Sequence, residues 1–281
     1  MTVMTPRSAR AVRRYPAMFL VLATAISSAN AQAFEGGSRS AALADATVAL
    51  IGIGSTMQNP AAAATQARPG ITFTAGESYG LSSLRSASIE TIVPVDAAAA
   101  AVVLSAFGDD AFRTISLRAA GARAFQAGTS RRLFAGAAVE YVRYAFRGYG
   151  ADGTVVISGG VIAPVLPELS AAFAVTNITA AHVGVEEAIE QTIALGFSFT
   201  PEERVRLVGA LVKEIRHAPS ARTGIEASFL STFSARFGFG TKPTTGSVGI
   251  GVHVGLIEID IALQRHRFLG WSSSGSLSMG M

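Results

Sequence analysis

Apolar residues recur at every second position along most of this chain. Near the C-terminus, Val248, Ile250, Val252 and Val254 fall on one side of an extended segment, with Gly249, Gly251 and His253 on the other. The next segment sets Ile257, Ile259, Ile261 and Leu263 against Glu258, Asp260, Ala262 and Gln264. Ile193, Leu195, Phe197 and Phe199 alternate in the same way with Thr192, Ala194, Gly196 and Ser198, and Ile115, Leu117 and Ala119 alternate with Thr114, Ser116 and Arg118. A period of two is that of a β-strand, whose side chains point to opposite faces in turn. Beyond residue 31 no apolar run approaches the roughly 20 residues of a spanning helix. The longest, Ala97 to Leu104, is bounded by Asp96 and by the turn at Gly108-Asp109-Asp110.

Divided at its turn signals, the pattern predicts fourteen strands, near 70–79, 85–94, 98–107, 113–125, 132–146, 153–163, 169–178, 190–200, 204–216, 222–231, 233–240, 246–254, 257–265 and 272–280. An even number closes an antiparallel sheet without a free edge and leaves both chain ends at one side, the periplasmic side of a bacterial barrel. Val95-Asp96, Leu230 to Thr232 and the Gly255 region are then short periplasmic turns. Arg147 to Asp152, Asn177 to Ile189, Arg216 to Ala221, Gly240 to Thr245 and His266 to Trp271 are the longer outer ones. Gln126 to Arg131 and Pro164 to Leu169 break this scheme by being too long for their side.

A soluble sandwich also alternates, so the second face has to discriminate. Here it combines Gly, Ala and Ser with Glu90, Glu140, Arg206, Glu226, Arg236, Glu258 and Asp260, and the chain holds only two lysines, Lys213 and Lys242. A water-facing sheet carries more lysine; a barrel with a narrow, partly filled lumen suits small residues and a few charges. The expected fold is all-β, a single 14-stranded antiparallel transmembrane β-barrel over residues 69–281 with lipid against its oily face. Glu140, Arg206, Glu226, Arg236, Glu258 and Asp260 are expected to face the lumen, with Glu258 and Asp260 in a structural ion-pair network near Arg206 or Arg236. Tyr79, Phe107, Phe125, Tyr144, Phe146, Phe199, Phe239, Phe268 and Trp271 fall at strand ends, where an aromatic belt is expected.

Residues 32–68 differ in kind. Gly36 to Ala64 is rich in small residues and holds only Arg39 and Asp45 as ionised groups, which predicts an interior segment. Ser38 to Leu43 offers a helix start, and Asn59-Pro60 opens a second short helical piece. Such a compact N-terminal plug segment would lie within the lumen or seal its periplasmic mouth. Ahead of it, Arg7, Arg10, Arg13 and Arg14 precede the apolar Ala17 to Ile26 and the small residues Ala29-Asn30-Ala31, the pattern of a signal peptide over 1–31. Removing its four arginines from 23 basic residues leaves 19, against 19 acidic ones. The mature chain then has no basic surplus, and a nucleic-acid partner is not expected.

Cysteine is absent, so no disulfide or thiolate metal site is available. His182, His217, His253 and His266 show no short metal-ligand spacing, and Glu186, Glu187 and Glu190 read as a solvated loop face. No Ser–His–acid grouping can be read from linear order and no phosphate-cradling loop occurs, so neither enzyme activity nor a cofactor is expected.

Ser38 to Ala49 followed by Gln58-Asn59-Pro60-Ala61 resembles the N-terminal signature of PorV/PorQ-like outer-membrane proteins, relatives of the FadL transporters. Arg265 to Trp271 resembles that family's ending. The resemblance implies location in the bacterial outer membrane and places Arg39, Asp45, Asn59 and Pro60 in a plug or lumen motif. It implies an accessory or anchoring role for secreted or surface proteins, or, by the FadL connection, passage of a hydrophobic small molecule.

Overall fold

The computed structural model describes residues 36–52, 54–128, 131–183, 187–230 and 232–281; the expected signal peptide and Glu186 lie outside them. The fourteen expected strands all form. They are β1 (Gly70–Glu77), β2 (Arg85–Val95), β3 (Ala98–Gly108), β4 (Phe112–Ala127), β5 (Arg131–Phe146), β6 (Gly150–Leu166) and β7 (Leu169–Thr176), then β10 (Thr192–Glu202), β11 (Val205–Glu214), β12 (Ser220–Phe229), β13 (Phe233–Thr241), β14 (Thr244–Val254), β15 (Ile257–His266) and β16 (Gly270–Gly280). A two-residue pair, β8 (His182–Val183) with β9 (Glu187–Ala188), sits in the β7–β10 connection.

Each barrel strand is antiparallel to its neighbours, and β1 closes on β16 from Gly70 opposite Gly280 to Glu77 opposite Ser273. The Met281 amide donates to the Pro69 carbonyl at 2.8 Å, so both ends of the barrel chain meet at one rim. Turns at this chain-end rim take two or three residues each. The two segments that broke the expected scheme are shortened by the strands that run into them: β4 and β5 pair as far as Ala127 opposite Arg131, and β6 runs on to Leu166. Pro164, which lacks an N–H, stands where the β6–β7 register shifts. At the far rim the connections range from 242–243 to 177–191.

Alternation becomes inside and outside. On β16, Ser272, Ser274, Ser276 and Ser278 are buried inward, while Trp271 is exposed outward. Leu195 is 57% exposed, Phe237 57% and Ile250 56%, and comparable residues continue around the wall. Water-soluble chains do not leave so continuous an apolar belt in solvent. Because closure pairs every strand on both sides, the backbone meets the demand that hydrocarbon makes of it. This is a membrane-spanning barrel; among the described residues no helix is long and apolar enough to cross a membrane.

The core lies between the wall and the N-terminal segment, which occupies the lumen. Helix α1 (Gly37–Ala42) packs Ala41 and Ala42 against Ala262 of β15. Leu43, Ala46, Val48, Ala49 and Leu50 then cluster with Ile162, Ala172, Ala174, Val208, Ala210 and Val212 of the wall. A 3-10 helix, Pro60–Thr65, places Ala63 against Ile92, Ala99, Ala101, Ala120, Ala122 and Ala138. Small residues on both partners let the plug backbone come close to the strands, which explains a segment so rich in alanine.

Candidate functional site

Asn59 opens the 3-10 helix and also fastens it. Its Oδ1 accepts from the Ala61 amide at 3.0 Å, while its Nδ2 donates to the Val48 carbonyl at 3.0 Å and to the Val161 carbonyl of β6 at 3.2 Å. Pro60 takes the first helical position, where a missing N–H is no loss. One fully buried side chain therefore ties together a helix start, an earlier turn of the plug and the wall.

Where the plug passes closest to the wall, inward positions are glycine. A Cβ on Gly136 would stand 2.6 Å from the Pro60 carbonyl carbon; on Gly196, 2.5 Å from Val48; on Gly249, 2.5 Å from Ala42. Gly160, Gly224 and Gly238 similarly abut Asn59, Leu43 and Ala44. Any side chain at these points would push the plug off its seat.

The charged residues form two groups on different walls. In the first, Arg39 of α1 grips Glu226 of β12 with two hydrogen bonds, Nε to Oε2 at 2.8 Å and Nη2 to Oε1 at 2.7 Å. Arg206 of β11 reaches Glu226 at 3.0 Å and Arg236 of β13 reaches it at 2.6 Å. Arg236 also donates to Glu258 at 3.1 Å and to Asp260, both on β15. Three guanidiniums thus meet three carboxylates, and Arg236 is only 1% exposed. Burial works against the charge on Arg39, but the Glu226 charge and hydrogen bonds outweigh it and hold the guanidinium above its ordinary value.

Glu140 stands apart from this six-charge group. It faces Arg118 of β4 at 3.5 Å, and Arg118 in turn reaches the Thr56 carbonyl of the plug at 3.5 Å. The Thr56 hydroxyl donates to Glu90 of β2. Among the described residues Arg118 Nε has no hydrogen-bond partner. Asp45, the other ionised plug residue, adopts a left-handed backbone with φ 57° and accepts from the Ser40 hydroxyl at 3.0 Å. Burial raises its carboxyl above the usual range, opposed by the Arg222 charge and by hydrogen bonds with Ser40 and Gln264.

Toward the far rim, a vestibule of about 580 Å³ opens within the lumen. Met57 and Gln58 of the plug line it together with Arg118, Glu140, Val142 and Ala194 of the wall, and Phe107, Phe112 and Tyr144 bring aromatic surface to it. Phe107 and Tyr144 were expected in an external belt; they share the inward phase of Ser105 and Val142 and line the vestibule instead. Phe112, Arg118 and Thr56 were absent from the expected site. Arg118 alternates in phase with Ser116, which is the signal that marks it as inward.

No family model matches the sequence, and no curated protein is similar to it. The fold is similar to solved structures. The toluene transporter TbuX of Ralstonia pickettii aligns with a TM-score of 0.62 at 12% identity, over 89% of this chain and 98% of that one. The monoaromatic hydrocarbon channel CymD aligns with a TM-score of 0.64 at 12% identity, over 89% and 99%. A FadL homologue of Pseudomonas aeruginosa aligns with a TM-score of 0.58 at 10% identity, over 90% and 99%. One of these neighbours is itself named as a FadL homologue; the PorV/PorQ part of the resemblance rests on the two end motifs alone.

Proposed function

We propose that this protein is an outer-membrane channel for a small hydrophobic molecule, with its chain-end rim toward the periplasm and the N-terminal segment as the plug of the passage. The vestibule carries this reading: its volume lies within the range of small-molecule sites, about 300–1,000 Å³, and it joins aromatic and aliphatic surface to a few charges directly above the plug. Structural neighbours named as toluene and monoaromatic hydrocarbon carriers support it. A lumen containing ion pairs and a plug suits selective entry better than an open aqueous pore. The membrane lipid is the partner of the outer wall, and neither enzyme chemistry nor a cofactor enters the reading.

The role as an accessory for secretion or surface attachment would need a working surface at the far rim. Four of the seven connections there are two or three residues long, which leaves little to cap a protein partner. The hydrophobic-cargo reading is therefore preferred.

The test is uptake of a radiolabelled monoaromatic hydrocarbon by cells that carry the protein in their outer membrane. Saturable uptake is expected, and Thr176→Trp, which fills the vestibule from β7, should reduce it strongly. Uptake equal to that of cells without the protein, or unchanged by Thr176→Trp, would overturn the reading.

A further inference from the structure

We propose that Glu190, Glu214 and His217 form a binding site for a divalent transition-metal ion at the far rim of the vestibule. All three line that cavity. Glu190 lies two residues ahead of Thr192, which pairs with Glu214 across β10 and β11, so the strand pairing brings both carboxylates to one face. His217 follows in the β11–β12 connection. Two carboxylate oxygens and an imidazole nitrogen lie within 4.8 Å of one another. Ligands about 2.1 Å from a tetrahedral ion stand about 3.4 Å apart, so a side-chain adjustment of about 1 Å closes the set.

The turn that carries His217 is held independently of any ion. The Ile215 amide donates to the Gln191 carbonyl at 2.9 Å, the His217 amide to the Glu214 carbonyl at 3.0 Å, and the Arg216 amide to Glu190 Oε1 at 3.4 Å. The Lys213 ammonium caps the carbonyls of Glu214 and Ile215 at 3.1 and 3.2 Å, and that of His217. With the backbone satisfied in this way, the metal does not have to order the loop. Arg222, 3.6 Å from Glu214, is the cation paired with that carboxylate. So long a pair contributes little and does not relieve two carboxylates held side by side. Mixed oxygen and imidazole donors, without thiolate, suit Zn²⁺, Co²⁺ or Ni²⁺ better than Ca²⁺ or Mg²⁺. A bound ion would tie the 177–191 connection to the β11–β12 turn beside the vestibule mouth. Linear spacing hides this set, because β10–β11 pairing and a turn assemble it.

The experiment is isothermal titration calorimetry of the purified full chain in detergent micelles with ZnCl₂, and with MgCl₂ for comparison. Saturable binding of one Zn²⁺ per chain is expected, with Mg²⁺ at least about tenfold weaker. Glu190→Gln and His217→Ala should each weaken Zn²⁺ binding on the order of tenfold or more. Arg222→Gln should tighten it, because it removes a competing cation. His253→Ala, a histidine outside the site, should leave it unchanged, and far-UV circular dichroism checks that each variant keeps its barrel. Absence of saturable Zn²⁺ binding, or binding that survives both Glu190→Gln and His217→Ala, would overturn the assignment. Either result leaves the hydrocarbon-uptake assay of the wild-type channel untouched.

Discussion

Replacing Glu226 by Gln should do more harm than replacing Arg39, its partner on the plug. Glu226 is 6% exposed and accepts from Arg39, Arg206 and Arg236. In the intact group three positive charges face three negative ones; Glu226→Gln leaves an excess of one positive charge in the lumen. Breaking a buried ion pair from one side costs about 3–5 kcal/mol. Arg39→Gln removes two charge-assisted bonds but leaves Glu226 with two guanidiniums, and a cost of about 1–3 kcal/mol is expected. The double variant is the informative one, since Arg206 and Arg236 then face Glu258 and Asp260, two against two. It should be no less stable than Glu226→Gln alone, with a coupling of at least about 1 kcal/mol between the two sites. The assay is urea unfolding in phospholipid vesicles, followed by the fluorescence of Trp271. Additive costs, or a cost below about 1 kcal/mol for Glu226→Gln, would refute the claim that charge balance pins α1 to the wall.

Other outcomes follow from the same contacts. Gly136→Ala sets a methyl against plug backbone and should destabilise by about 1–3 kcal/mol, whereas Gly121→Ala meets nothing within 4 Å and should be near neutral in the same unfolding assay. Asn59→Ala should cost at least about 2 kcal/mol, because it removes the helix cap and both carbonyl partners; Asn59→Asp keeps the cap and should recover only part of this. Asp45 has a folded pKa raised above its unfolded value of 3.8, so its favourable contribution is fully present below that pH and is lost as pH rises through the folded value. Asp45→Asn should therefore stabilise at neutral pH, with a gain that disappears in acid; urea midpoints measured across pH would show no such trend if burial did not control this carboxyl.

Strand number and facing were legible because lipid and lumen impose opposite demands on neighbouring residues. A one-residue slip would expose every inward serine of β16 to hydrocarbon. The phase also places Arg206, Glu226, Arg236, Glu258 and Asp260 inward, but phase does not say which strands stand side by side or what crosses the lumen between them. Hence the partnership of Arg39 with Glu226 and the separation of Glu140 from the other charges required the three-dimensional arrangement. Strand ends were harder, since both sides of the membrane tolerate aromatics there. Phe107 and Tyr144 turn inward because their parity matches Ser105 and Val142, a constraint stronger than their position at the rim. The Glu190, Glu214 and His217 set was hidden for another reason: its members come from two connections and a strand end.

The most direct test of the whole arrangement replaces Trp271 by Phe and places a single tryptophan at position 250 or 176 of the protein in bilayers. Bromine on the lipid acyl chains should quench the fluorescence of Ile250→Trp strongly and that of Thr176→Trp weakly, while aqueous iodide should do the reverse. Equal quenching of the two by brominated lipid, or stronger quenching at 176, would contradict a wall that meets hydrocarbon outside and encloses a polar, plugged lumen within.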